Sequence, residues 1–130
     1  MIYLDANFFI FGTLDKTKKG ENARNIFEEI INGRKAVTSV LVLDEVIWVL
    51  IRNKKKELVK DVIEEIYLTP NLTVCGVMEN IPLNALTYLE SLKPRDAFHL
   101  AVMKELGINQ IVTDDSDFDK IKWVKRIKFS

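Results

Sequence analysis

Ile2-Tyr3-Leu4-Asp5-Ala6-Asn7 runs through three apolar residues and stops at a carboxylate. An uninterrupted apolar run of this length reads as a buried strand. The pattern returns near the other end, where Gln110 to Thr113 reads as a strand and Asp114, Asp115 and Asp117 follow it at once. Lys35–Thr38, Leu72–Val74 and Trp123–Ile127 supply three more strand candidates. Helical spacing fills the gaps. Ala6–Phe11 reads as a short helix ended by Gly12. Ala23, Ile26, Phe27, Ile30 and Ile31 share one face of a helix over Glu21–Ile31, and Thr38 or Ser39 caps a helix reaching about Arg52. A further helix carries Leu58, Val59, Val62, Ile63 and Ile66. Met78–Leu92 reads as another, with Ile81, Ala85, Leu86 and Leu89 inward. Pro94 opens the last helix and Gly107 closes it. Strands alternating with helices predict an α/β fold with a parallel sheet covered on both faces.

The 130 residues are 48% hydrophobic and 29% charged, with 5 Gly and 3 Pro, which excludes a disordered or collagen-like chain. The length suits one domain, 1–130, with a core that needs no staples. Nineteen basic and nineteen acidic residues give zero formal charge, so any nucleic-acid contact must come from a local patch. The lone Cys75 cannot pair internally or build a thiolate metal cluster and is read as a small buried hydrophobe. The opening MIYLDANFF has an acid at position 5 and no basic leader region. No apolar run approaches the roughly 20 residues that span a bilayer, so a cytoplasmic chain without membrane contact is expected.

The placement of acids carries the chemistry. In open α/β sheets, sites form beyond the carboxyl ends of the strands. Asp5 follows the first strand, and Asp114, Asp115 and Asp117 follow the fourth. If the topology switches between those strands, the acids converge on one crevice. Asp44 and Glu45 interrupt the otherwise apolar segment Val40–Ile51. A helix this apolar all round is read as largely buried. A buried carboxylate without a partner costs several kcal/mol, roughly, so one of the two needs a partner. Periodicity does not choose between them. Asp96 stands at a helix start, where an acid also offsets the helix dipole.

With these stretches in view, the chain resembles a PIN domain, most closely the small single-domain ribonucleases of the VapC toxin type. The matching segments are I-Y-L-D-A-N at 2–7, D-E-V-I-W-V-L at 44–50, R-D-A-F-H-L-A at 95–101 and I-V-T-D-D-S-D-F at 111–118. The resemblance implies a three-layer α/β/α sandwich around a five-stranded parallel sheet. It implies metal-binding, catalytic acids at Asp5, Glu45, Asp96 and Asp115, with Asp117 a fifth. Asp114 fills a variable slot. Asn7 and Thr113 match positions that support the acids. It further implies an endoribonuclease leaving a 5′-phosphate and a 3′-hydroxyl, a homodimer, and inhibition by a cognate antitoxin covering the acidic crevice.

An oxygen-rich ring without cysteines suits Mg²⁺ or Mn²⁺. Two carboxylates about 5 Å apart repel by about 3 kcal/mol at an effective dielectric near 20, so four or five gathered together need a cation to stay ionised. Arg95, beside Asp96, is the favoured contact to RNA phosphate. Arg52, Lys54–Lys56, Lys93 and the C-terminal Lys120, Lys122, Lys125, Arg126 and Lys128 are weaker candidates. His99 lies one turn after Asp96 and either orients that carboxylate or packs in the helix; packing is favoured. Trp48, Trp123, Phe8, Phe9 and Phe11 are read as core or dimer contacts ahead of base stackers. The competing readings are a non-toxin PIN nuclease of RNA processing, a non-catalytic PIN-like module binding RNA or a partner, and a metal phosphohydrolase of small molecules.

Overall fold

The computed structural model describes all 130 residues. In chain order it holds β1 (Ile2–Leu4), α1 (Ala6–Leu14), α2 (Lys18–Ile31), β2 (Ala36–Ser39), α3 (Val40–Arg52), α4 (Val59–Leu68), β3 (Leu72–Cys75), α5 (Ile81–Ala85), α6 (Pro94–Leu106), β4 (Gln110–Val112) and β5 (Lys125–Ile127). The five strands form one parallel sheet in the order β3-β2-β1-β4-β5. All residues of β1 and β2 are buried, as a sheet covered by helices on both faces requires. The order reverses between β1 and β4. Tyr3 pairs with Val37 on one side and Ile111 on the other, and the Asp5 N–H continues the ladder to Val112 O at 3.2 Å. The carboxyl ends of β1 and β4 therefore lie side by side at the switch point, where such sheets place their sites. No helix is long and apolar enough to cross a membrane.

Several local expectations shift. Helix α1 runs through Gly12 to Leu14, because its last carbonyls find a donor: Arg24 Nη1 reaches Gly12 O at 3.2 Å and Asp15 O at 2.8 Å. Helix α2 begins at Lys18, earlier than its apolar stripe suggested, with Gly20 pressed against the preceding loop. A Cβ on Gly20 would stand 1.9 Å from Asp15 O, so only glycine lets α2 start there. Gly107, at φ 70°, closes α6 in the left-handed conformation. Asn71 takes φ 67° in the turn before β3, and its Nδ2 donates to Ile30 O at 2.9 Å.

The stretch read as one helix over Met78–Leu92 is shorter and broken. Five residues form α5 and Leu86–Tyr88 form a 3₁₀ turn. Ile81 and Ala85 are buried, but Leu86 and Leu89, expected inward, are exposed, so no continuous stripe holds a longer helix in place. The last strand is three residues, since Val124 N–H closes a turn onto Ile121 O before pairing with β4 begins. It is an edge strand, as its alternating lysines suggested. Cys75 is half-buried at the end of β3. On α3, Val42, Leu43, Val46 and Leu50 form the inner stripe, while Val40, Trp48 and Ile51 are exposed, so this helix is not buried all round.

Candidate metal centre

Asp5 is the floor of the site. It stands at the end of β1 as the N-cap of α1, 5% exposed. Its Oδ1 accepts from Ala6 N at 2.8 Å and its Oδ2 from Thr113 Oγ1 at 2.7 Å. Thr113, the first residue beyond β4, is a three-way junction: its hydroxyl also accepts from Asn7 Nδ2 at 3.0 Å and Asp115 N at 3.1 Å. Asn7 Oδ1 in turn accepts the Asp114 N–H at 3.2 Å. Asn7 and Thr113 thus lock the turn after β1 to the turn after β4. Three bonds on one buried hydroxyl make Thr113→Val expected to cost about 2–4 kcal/mol, read as a lower midpoint in urea, with Thr113→Ser recovering most of it. A midpoint unchanged in Thr113→Val would show that the junction contributes nothing to stability.

Two groups of possible ligands face this floor. The acceptor or donor atoms of Asp5, Glu45 and His99 lie within 4.8 Å of one another, and so do those of Asp96, Asp115 and Asp117. Glu45 comes from the second turn of α3, at the edge of its inner stripe. Its side chain is 17% exposed, against 73% for Asp44, so geometry separates the two acids that periodicity did not. Asp96 enters from the first turn of α6. Asp115 caps the 3₁₀ turn Ser116–Lys120, its Oδ1 accepting from Asp117 N at 2.9 Å, and Asp117 lies 3.4 Å from Lys120 Nζ. Asp114 points away and pairs with Lys19 at the start of α2.

Burial drives the electrostatics. It raises the Asp5 carboxyl, against the opposing influence of His99 and the Thr113 hydroxyl. It pushes Asp96 up to about 7, helped by the charges of Asp5 and Asp115. Burial pulls the His99 imidazole down, but the hydrogen bond to Glu45 and the charge of Asp5 outweigh it and leave His99 raised. The ring therefore holds protons that isolated groups would shed, which is how crowded carboxylates behave until a cation enters.

Other expected contacts are rearranged. His99 is fully buried, but it is more than packing: Nε2 lies 2.5 Å from Glu45 Oε1 and 3.9 Å from Asp5 Oδ1, so it serves Glu45 rather than Asp96. Nothing in the local sequence links residues 54 positions apart; the available signal was a histidine on the inner face of a helix, which must find a polar partner. Arg95 is half-exposed, 3.9 Å from Asp44 Oδ2. Arg126 is engaged by Asp119 through two bonds of 2.9 Å. Phe8 and Phe9 are core residues, and Trp123 packs on Tyr88.

The PIN domain family model matches residues 2–124. No curated protein sequence matches the chain. Among solved structures, VapC20 of Mycobacterium tuberculosis, described as a sarcin-ricin loop cleaving toxin, superposes with a TM-score of 0.77 at 21% identity, over 92% of this chain and 94% of its own. VapBC2 from Rickettsia felis, bound to a promoter DNA fragment, gives 0.76 at 18% identity, over 98% of each chain. FitAcB from Neisseria gonorrhoeae gives 0.74 at 16%, over 99% and 98%. At these identities the likeness to each is one of fold.

Proposed function

The chain belongs to the PIN domain family, and from that premise we propose that it is a metal-dependent endoribonuclease, the toxin of a toxin–antitoxin pair acting on RNA in the cytoplasm. The observation that carries this reading is that five acids from four parts of the chain fall into two groups close enough for the charges of Asp5, Asp115 and Glu45 to act on Asp96. In this reading Asp5, Glu45, Asp96 and Asp115 are the catalytic acids that hold Mg²⁺ or Mn²⁺, with Asp117 a fifth ligand. The donor chemistry fits: carboxylate oxygens suit hard cations, and the one imidazole is taken up by Glu45. Bound there, such an ion supplies charge neutralisation at the phosphodiester and a lowered pKa for water.

The chain's own residues do the rest. Asn7 and Thr113 fix Asp5 and Asp115 relative to each other, so the ligands are set before substrate arrives. Arg95, beside Asp96 and half-exposed, reaches a backbone phosphate and orients the strand over the acids. Water adds to phosphorus, the bond to the 3′-oxygen breaks, and the proton passes from water to that oxygen. This leaves the 5′-phosphate and 3′-hydroxyl that the resemblance implies. A non-catalytic module gains nothing from acids crowded enough to lift Asp96 to about 7.

An antitoxin partner is supported by the fold neighbours, which include a Klebsiella pneumoniae toxin–antitoxin complex. Homodimerisation belongs to the same reading, with the exposed Val40, Trp48 and Ile51 of α3 as its apolar surface. The direct test incubates the chain with end-labelled structured RNA and with duplex DNA. RNA cleavage is expected in Mn²⁺ or Mg²⁺, none in EDTA, and recovery on adding excess Mn²⁺. Cleavage untouched by EDTA would remove the metal from the reading.

A further inference from the structure

Glu45 is the one member of the ring whose carboxylate is gripped by an aromatic side chain, and that grip continues inward. His99 Nε2 meets Glu45 Oε1 at 2.5 Å, His99 Nδ1 meets Tyr3 Oη at 2.9 Å, and Tyr3 Oη meets Ser39 Oγ at 2.8 Å. Ser39 Oγ then accepts the Val42 N–H at 3.4 Å, within the first turn of the helix that carries Glu45. Tyr3, Ser39 and His99 are each 0% exposed. Nε2–H donates to the carboxylate whether or not the ring carries a second proton, and in the neutral ring Nδ1 is an acceptor. The hydrogens then have one consistent order: Val42 N–H to Ser39, Ser39 O–H to Tyr3, Tyr3 O–H to His99, and His99 N–H to Glu45. Every donor in this chain is used. Glu45 Oε2 takes no hydrogen bond from the protein and is the oxygen left for a cation.

We propose that His99, held by Tyr3 and Ser39, is a positioning residue for Glu45, fixing one carboxylate oxygen so that the other is presented to the metal. The proposal rests on the metal-centre reading above. Three features support it beyond packing. The linkage closes on itself, since it leaves α3 at Glu45 and returns to α3 at Val42 by way of α6, β1 and β2. It uses both ring nitrogens, which an aromatic filler would not need. Its donor is spent on a carboxylate 2.5 Å away, which leaves no room for an ion between them. Partners that orient a ligating carboxylate in this way typically matter by roughly 10–100-fold in metal affinity.

The test measures Mn²⁺ affinity by calorimetry, alongside RNA cleavage and a melting curve, in wild type, His99→Gln, His99→Leu, Tyr3→Phe and Asp5→Asn. A Gln amide can replace the Nε2 donor; Leu cannot. Mn²⁺ affinity is expected to fall roughly 10–100-fold in His99→Leu and to return to within about threefold of wild type in His99→Gln. Tyr3→Phe, which frees Nδ1 but spares the ring, is expected to weaken Mn²⁺ about three- to tenfold and carries the test if His99→Leu does not melt cooperatively. Wild-type Mn²⁺ affinity in His99→Leu or in Tyr3→Phe overturns the proposal. So does His99→Gln binding as weakly as His99→Leu, which would show that donation to Glu45 is not what His99 supplies. Asp5→Asn separates the two levels: if it too binds Mn²⁺ like wild type, the metal centre fails along with the positioning role. If Asp5→Asn is weak while the His99 and Tyr3 variants bind normally, only the positioning role fails.

Discussion

Asp5→Asn is expected to cut RNA cleavage in Mg²⁺ by on the order of a thousandfold while the protein still melts cooperatively. A bound ion contributes several kcal/mol to the transition state, and about 1.4 kcal/mol is a factor of ten in rate. Asp5 is the most enclosed acid of the ring, so no solvent-borne oxygen can replace the one it loses. The amide also upsets the junction below it. Thr113 already accepts from Asn7 and Asp115, so its one hydrogen must go to residue 5. An Asn that turns its Nδ2 toward Thr113 strands that hydrogen, at a cost of about 1–3 kcal/mol. Relief of a buried charge offsets part of this, which is why the variant should still fold. Asp114→Asn is the matched control: its carboxylate pairs with Lys19 outside the ring, and its rate should stay within about threefold of wild type. Single-turnover cleavage with enzyme in excess reads both. Equal rates for Asp5→Asn and wild type would take Asp5 out of the reaction.

The second large effect concerns stability against pH, and its direction opposes ordinary acid denaturation. Asp5, Asp96 and His99 all have folded pKa values raised above their ordinary ones. A raised folded pKa means that the native chain binds the extra proton more tightly than the unfolded chain does. The stability so gained is full below the unfolded pKa and disappears as pH rises through the folded one. For Asp96 that window runs from 3.8 to about 7. His99 extends it above 6.5. In EDTA the Tm is therefore expected to fall between pH 5.5 and pH 8. Mn²⁺ replaces the protons, so its stabilisation should be greatest where they have left. At a hundred times its Kd, a ligand adds about 2.7 kcal/mol, or on the order of 10 °C for a chain of this size, at pH 8. At pH 5.5 the rise should be less than half of that, because the ion must displace a proton from Asp96. Calorimetric scans at both pH values decide it. A Tm in EDTA that climbs steadily from pH 5.5 to pH 8 would mean that the acids do not share one field.

What the sequence made legible follows from how local each signal was. The strands β1, β2 and β4 announce themselves as short apolar runs, and two of them end in acids, so the sheet and the crevice at its switch point could be read directly. Periodicity narrowed Glu45 only to a pair, because Asp44 and Glu45 are adjacent on a helix whose outer face is also apolar, and it was the resemblance that singled out Glu45. Only the packing of α3 against α1 and the reach of His99 from α6 tell which acid is inside. The link from His99 to Glu45 was out of reach for a related reason: the two residues lie 54 positions apart on separate helices, and neither helix encodes where the fold sets the other. Leu86 and Leu89 misled for the opposite reason. They have helical spacing but no neighbour to bury them, and spacing alone cannot report that.

The position of β1 at the middle of the sheet has a consequence for the birth of the molecule. Its right-hand neighbour is made of residues 110–112, more than a hundred positions later, and the acids beyond that strand come later still. A growing polypeptide leaving the ribosome has Asp5 and Glu45 in hand long before Asp96 and Asp115 have been translated. At synthesis speeds of roughly 5–20 residues per second, several seconds separate the first acid from the last. In the proposed reading, the nuclease therefore stays inert until its own translation is nearly finished, and an inhibitor made alongside it has that interval in which to arrive.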